Sequence, residues 1–307
     1  MLKVSVVVPT FNRSELLTYT LHSLKAQNTP RDFFEVIVAD DGSTDNTEEV
    51  VRQFEKQLNI RYVYQQDLGY RPGSARNLGV TSSRGKICLL IDSGVLVGEN
   101  CIAEHISFHE KNSRAAAIGY VYGFEEDNEN RGALERNIDY RDVQGSIRRL
   151  SNYPAYADVR EPHYRKYKNV IHHLPAPWLF FWTCHVSALR KDLLKIGLFD
   201  WRYDGRWGVE DTDLGFRLFH DGVSIMLLTE ATSIHYPHQK CKHDRHKEGL
   251  QNCRLFHEKF KTIGTSIFLD HFMENSFFDL NQRMLELGAR DVPLEESNVL
   301  LEPSKIV

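Results

Sequence analysis

The chain has 307 residues, 41% hydrophobic and 26% charged, enough apolar mass for a real core under an ordinary globular surface. Thirty-eight lysines and arginines against 42 aspartates and glutamates leave a net charge of −4, which excludes the broadly basic footprint of a nucleic-acid binder. No apolar run approaches the roughly 18 residues of a membrane-spanning helix, the opening MLKVSVVVPT lacks a small-residue cleavage site, and five scattered cysteines (Cys88, Cys101, Cys184, Cys241, Cys253) argue against a disulfide framework, so a cytoplasmic protein is expected.

Three short runs rich in β-branched residues, KVSVVV at 3–8, EVIVA at 35–39 and ICLLI at 87–91, read as strands buried on both faces. Helical stretches follow at 14–27, 45–58 and 74–83. The second opens on Asp45-Asn46-Thr47-Glu48, where a capping aspartate and a glutamate three residues on would satisfy free backbone N–H groups. The alternation implies βαβ units, hence an α/β fold with a Rossmann-like, mostly parallel central sheet flanked by helices. Such sheets bind ligands beyond the carboxyl ends of their strands. The residues there are Pro9-Thr10-Phe11-Asn12, Asp40-Asp41-Gly42-Ser43 and Asp92-Ser93-Gly94. One such loop could serve only to turn the chain, but acidic loops at successive strand ends point to a binding crevice. No strand leads into G-x-G-x-x-G and no G-x-x-x-x-G-K-[ST] is present, which excludes a dinucleotide fold and a phosphate loop.

Residues 131–168 carry nine basic side chains, five acidic ones and five tyrosines with little apolar periodicity, the pattern of a binding loop, a lid, disorder or a solvated excursion. The chain then resumes with apolar stretches, an amphipathic helix over 213–220 stopped by Gly222, and a strand VSIMLL at 223–228. From residue 240 the composition is that of a helical C-terminal extension, packed on the core or on a second copy in a homo-oligomer. His105 and His109, one helical turn apart, are expected at the surface or the core edge.

The string WGVEDTD at 207–213 combines an aromatic platform, a flexible glycine and three acids at a helix start. Carboxylates are favoured by a helix N-terminus, but Glu210, Asp211 and Asp213 are more acid than capping needs, and one of them could serve as a general base toward an acceptor hydroxyl. Trp207 could stack on a sugar or base face.

Together VSVVVPTFNR, VIVADDGSTD, GSARNLG, IDSG and GLFD…WGVEDTDLGFRL resemble, in content and order, the motifs of glycosyltransferase family 2 over about residues 3–235; the last block is also similar to the carboxyl-terminal part of β-galactosyltransferase-type enzymes. The resemblance implies a GT-A fold over 1–239, divided into a nucleotide-sugar half (1–125), an acceptor or lid segment (126–170) and a catalytic half (171–239), with 240–307 as a helical extension. It implies inverting transfer of a hexose or N-acetylhexosamine from a nucleoside diphosphate sugar, here a UDP-sugar, to a hydroxyl of a glycan, glycopeptide or small acceptor, with peripheral membrane contact left open. Pro9, Thr10, Phe11 and Arg13 would line the base and ribose pocket, Asp41 would bind the uracil, and Arg76 the phosphates. Asp211 would be the base, with Glu210, Trp207 and Gly208 at the acceptor or sugar. Asp92 opens the equivalent of the family's D-x-D metal motif, whose second acid is here Gly94; a divalent cation, Mn2+ or Mg2+, would be held by Asp92 and His235, with His238 as the competing ligand. The Cys and His residues from His235 to His246 also admit a zinc reading, though the spacing fits no finger or ribbon. Two other readings follow: a catalytically inactive nucleotide-sugar binder or scaffold, favoured by Gly94, and a nucleotidyltransferase, disfavoured because Thr-Phe-Asn-Arg follows the first strand in place of a Gly-rich basic loop.

Overall fold

A computed structural model describes residues 2–124, 131–239, 245–274 and 277–294. The β-branched runs form β1 (Val4–Thr10) and β2 (Phe34–Asp40), every residue of which is buried, followed by β3 (Ile60–Tyr64), β4 (Ile87–Ile91), β5 (Val95–Val97), β6 (Ala115–Tyr122), β7 (His185–Leu189) and β8 (Ser224–His235). They make one eight-stranded sheet in the order β3-β2-β1-β4-β7-β6-β8-β5. β1 runs parallel to β2 and β4, β2 to β3, and β6 to β8; β7 is antiparallel to both β4 and β6, and β5 to β8. The sheet is therefore mixed, with β3-β2-β1-β4 parallel as the sequence predicts.

Helices α1 (Ser14–Lys25), α2 (Thr47–Phe54), α3 (Pro72–Ser82) and α4 (Cys101–Lys111) flank the first half. α3 begins two residues earlier than expected because Pro72, with its preset φ, occupies the first helical position. The capping box expected at α2 does not form. Asp45 turns its carboxylate to the backbone N–H groups of Ser14 and Thr47, and Glu48 pairs with Arg52. The aspartate thus satisfies an N–H at the start of both α1 and α2 and ties the two helix ends together.

Residues 131–168 are folded, contrary to an irregular loop. They carry α5 (Arg131–Glu135), α6 (Val143–Leu150) and α7 (Glu161–Lys166). Leu134, Val143, Ile147 and Leu150 pack with Leu96 and Ile234 as a small core of their own. Behind it lies an ion pair, Arg160–Asp158 at 2.7 Å, with both side chains fully buried. Arg160 is the one buried basic residue of this segment; the other eight are exposed.

α8 (Arg190–Lys195) and α9 (Glu210–His220) come next, and α10 (Arg245–Phe260), α11 (Ile263–Met273) and α12 (Leu280–Glu286) follow. These last three helices share one core with the sheet: Cys253, Phe256, Ile267, Phe268 and Met284 pack with Trp178, Phe180, Phe216 and Val186. Asn281 closes a pair of hydrogen bonds with the Ala176 backbone at 2.9 and 3.0 Å, and Asp291 accepts the Trp178 indole N–H at 3.0 Å. His105 and His109 lie on the inner face of α4, at 0% and 7% exposure, which corrects the surface reading. Each makes a 2.8 Å hydrogen bond with Ser187 of β7, so their polarity is compensated. Burial pushes His109 down to about 4 and His185 down to about 3. Among the described residues, no helix is long and apolar enough to cross a membrane.

Candidate active site

The carboxyl ends of β1, β2 and β4 open at one edge of the sheet, and the polar loops identified in the sequence meet there. The register pairs Thr10 with Asp40, and the Asp41 N–H bonds the Thr10 carbonyl at 2.9 Å. Asn12 adopts a left-handed backbone (φ 49°), and its amide oxygen accepts the N–H groups of Thr44 and Asp45 at 2.8 and 3.2 Å. The first loop is thereby clamped on the second. Pro9 and Thr10 are buried while Phe11, 42% exposed, projects at the mouth. Asp41 is held by the Gln65 amide at 2.6 Å and by Arg71 through its backbone N–H and its guanidinium, both at 3.0 Å. Burial raises the Asp41 carboxyl above its usual range despite these partners.

Arg76 stands at the centre. It rises from α3, 5% exposed, over the Phe199 ring, and its guanidinium donates to Asp92 at 2.6 Å and lies 3.6 Å from Glu210. One buried cation therefore bridges the loop after β4 and the start of α9. Asp211 accepts the backbone N–H groups of Thr212 at 2.8 Å and Thr183 at 3.3 Å. Burial, and then their mutual repulsion, pushes the Glu210 carboxyl up; burial likewise raises Asp211 against the pull of Arg76 and the two N–H groups. The Glu210 Oε2 atom is buried with no hydrogen-bond partner among the described residues. Tyr70 borders the same acids: the residue is 38% exposed, but desolvation at its hydroxyl and the nearby Glu210 raise that hydroxyl above its ordinary value.

The turn that presents these acids is strained. Gly208 and Val209 take φ values of 88° and 75° immediately before α9, and a β-branched residue in the left-handed region is a genuine outlier. α10 holds the turn from behind. The Glu248 carboxylate accepts the Trp207 N–H at 2.8 Å, Asn252 donates to the Gly208 carbonyl at 2.8 Å, and Arg245 lies 5.4 Å over the Trp207 ring. Asp213 does not join the acid pair, correcting the three-acid reading. It is fully buried and bound by Arg217 at 2.6 Å, by the Tyr203 hydroxyl at 3.0 Å and by Lys259 of α10.

Asp92-Ser93-Gly94 is the turn between β4 and β5, closed by the Val95 N–H on the Asp92 carbonyl at 2.9 Å. Gly94 sits at φ 101°, where an aspartate would be disfavoured by about 1–2 kcal/mol. His235 ends β8 opposite Val95, and the next N–H, of Tyr236, bonds the Gly94 carbonyl at 2.9 Å, so His235 stands beside the turn. His238 has both ring nitrogens engaged: Nδ1–H donates to the Tyr236 carbonyl at 3.1 Å and Nε2 accepts from Arg13 at 3.0 Å. Cys241 and His243 lie outside the described residues. Asp92 and His235 belong to no convergent cluster of three or more ligand side chains among the described residues. This donor set fits a cation completed by phosphate oxygens and water, the usual state of Mg2+ and Mn2+ beside phosphates.

The family model for glycosyl transferase family 2 matches residues 5–195. The chain belongs to this family. It is similar to the validoxylamine A glucosyltransferase of Streptomyces hygroscopicus subsp. jinggangensis, 35% identical over 265 residues that make up 86% of this chain and 62% of that protein. The chain thus spans less than two thirds of that relative's length. Among solved structures, S. aureus TarS in complex with UDP-GlcNAc matches with a TM-score of 0.60 at 17% identity, covering 91% of this chain and 72% of that one. The mannosyltransferase PcManGT from Pyrobaculum calidifontis, in complex with GDP-Man and Mn2+, matches with a TM-score of 0.57 at 17% identity, covering 91% and 70%. The family 2 chain therefore has the GT-A fold. Sequence reasoning missed Tyr70, Arg71, Thr183, Phe199, Glu248 and Asn252. Each reaches the site through the fold; Phe199 lies within the GLFD motif and Tyr70 and Arg71 just ahead of GSARNLG, close enough to a motif to be found, whereas Thr183, Glu248 and Asn252 stand in none.

Proposed function

We propose that the protein is an inverting glycosyltransferase that moves a hexose or N-acetylhexosamine from a UDP-sugar to an acceptor hydroxyl, with Asp211 as general base. The observation that carries this reading is the buried Glu210–Asp211 pair joined through Arg76 to Asp92, at the sheet edge where Asp41 and the loop after β1 also open. Pro9, Thr10, Phe11 and Arg13 border the base and ribose, and Asp41, fixed by Gln65 and Arg71, presents its carboxylate to a uracil N–H. Arg76 faces the diphosphate with a charge that burial cannot neutralise, since a guanidinium keeps its proton. A bound divalent ion, held by Asp92 and His235, would supply charge neutralisation for the departing diphosphate. His235 is preferred to His238 because it ends β8 directly beside the Asp92–Gly94 turn.

Asp211 receives the acceptor's proton as its oxygen attacks the anomeric carbon opposite the leaving group; one base and an in-line geometry suffice for inversion. Glu210 keeps an unpartnered oxygen for a sugar hydroxyl, and Trp207 with Gly208 forms the platform beneath. The named UDP-GlcNAc complex and the glucosyltransferase relative support a UDP-hexose class donor. Gly94 does not favour an inactive binder, because its φ of 101° gives glycine a conformational reason at that turn.

Asp211→Asn tests the assignment. General-base loss lowers transfer by about 100-fold or more, while calorimetric UDP binding stays near wild type. Full transfer activity in this variant would refute the assignment of the base.

A further inference from the structure

On the face of the sheet covered by α4, three metal-ligating side chains converge without any part in the chemistry above. Cys101 and His105 lie one turn apart on α4, and His185 opens β7. The Cys101 Sγ and one ring nitrogen of each histidine all lie within 4.8 Å of one another, and all three residues are buried. The two Nε2 atoms are 3.0 Å apart, and Sγ is 3.3 Å from His185 Nε2. A tetrahedral zinc site with ordinary Zn–N and Zn–S bonds has edges of roughly 3.3–3.6 Å between its ligand atoms. The two edges at His185 need to open by only a few tenths of an ångström to enclose an ion, and the third, between Cys101 and His105, lies within 4.8 Å.

The outer contacts fit as well. Ser233 Oγ donates to the Tyr120 carbonyl at 3.3 Å and so accepts Nδ1–H from His185 at 2.8 Å. That fixes the tautomer of His185 and turns its Nε2 lone pair into the cluster. On the other side, Ser187 Oγ lies 2.8 Å from both His105 Nδ1 and His109 Nε2. With an ion present, His105 Nδ1–H donates to Ser187 and the serine hydroxyl donates to His109. Both ligating imidazoles then have their second nitrogen anchored, the pattern of metal-bound histidine.

We propose that Cys101, His105 and His185 form a buried three-ligand site for Zn2+, its fourth position filled by a water, distinct from the Asp92 position at the diphosphate. A thiolate with two imidazoles selects zinc over magnesium or manganese; on binding, the thiol proton is released to solvent. The ion would pin α4 to the first residue of β7. The two residues before it carry the active site: the Thr183 N–H holds Asp211, and the Cys184 carbonyl accepts the Asp92 N–H at 3.3 Å. The site would therefore brace the strand end from which both acids are positioned.

The test is metal analysis of the full chain. Protein purified without chelator is expected to carry about one zinc per chain, and apo-protein titrated with Co2+ alone should show a thiolate-to-cobalt charge-transfer band that saturates at one equivalent and is displaced by Zn2+. Asp92→Asn and Cys241→Ser keep the band, whereas Cys101→Ser loses it, which separates this site from any oxygen-ligated ion at the diphosphate. Wild-type protein that shows no zinc and no thiolate band, or a band that survives in Cys101→Ser, overturns the proposal. The wild-type measurements decide the matter even if a variant fails to fold.

Discussion

Replacing Arg76 with methionine probes the centre of the active site with little change in packing, because the methionine stem keeps its place over Phe199. The guanidinium lies 3.6 Å from Glu210, so at an effective dielectric of 20 it lowers the energy of the ionised carboxylate by about 5 kcal/mol as an upper bound. That bound corresponds to about three to four pH units, and neighbouring cations in proteins commonly shift a carboxyl by about 1–3 units. The acids are already raised by burial, and removing the cation raises them further. A base works only when ionised, so activity falls as pH drops through the raised value. The acid limb of log kcat/KM against pH should thus move to higher pH by about 1–3 units in Arg76→Met, in addition to any uniform loss from weaker diphosphate binding. A pH–rate profile with saturating acceptor, alongside thermal melting to confirm folding, reads this directly. A folded variant whose acid limb coincides with wild type would show that Arg76 does not control the ionisation of the pair.

Asn252→Ala removes the donor to the Gly208 carbonyl and the acceptor for Arg206 at 2.9 Å, which should cost about 1–3 kcal/mol in a urea melt and lower kcat while UDP affinity holds; unchanged kcat with lost stability would detach α10 from catalysis. Arg160→Met leaves Asp158 as an unpaired buried charge and should cost about 3–5 kcal/mol, partly recovered by adding Asp158→Asn; a loss below about 1 kcal/mol would mean that the pair is solvated in the folded protein.

How far the sequence reaches depends on where the partners of a residue lie. β1, β2 and β4 are legible because they are buried on both faces and need apolar side chains throughout. β7 escapes notice although it lies in the middle of the sheet. Its His185 and Ser187 look polar, and their burial is made tolerable by partners distant in the chain, the histidines of α4 about 80 residues away and Ser233 of β8. The strand-end loops and the acid pair were legible as local motifs. Asp213 was misread because its partners Tyr203 and Lys259 come from either side of α9 in the chain, and no spacing announces them. The helices over 131–168 are short: α6 carries an aliphatic stripe of Val143, Ile147 and Leu150 over only two turns, and α7 is anchored by the aromatic Tyr164 instead. Glu248 and Asn252 carry no signal at all; their meaning exists only once α10 lies behind Trp207.

That dependence on α10 has a temporal consequence. During synthesis β1 to β4, with α1 to α3 packed beside them, can assemble from near-neighbour contacts as the chain emerges. The acids at Glu210 and Asp211 are made later, but their strained turn has nothing to lean on until Glu248 and Asn252 have been made. A nascent chain should therefore be able to hold a nucleotide well before it can transfer a sugar. Ribosome-bound chains stalled short of α10 would be occupied but silent, so binding and turnover would mature at separate moments in the life of one molecule.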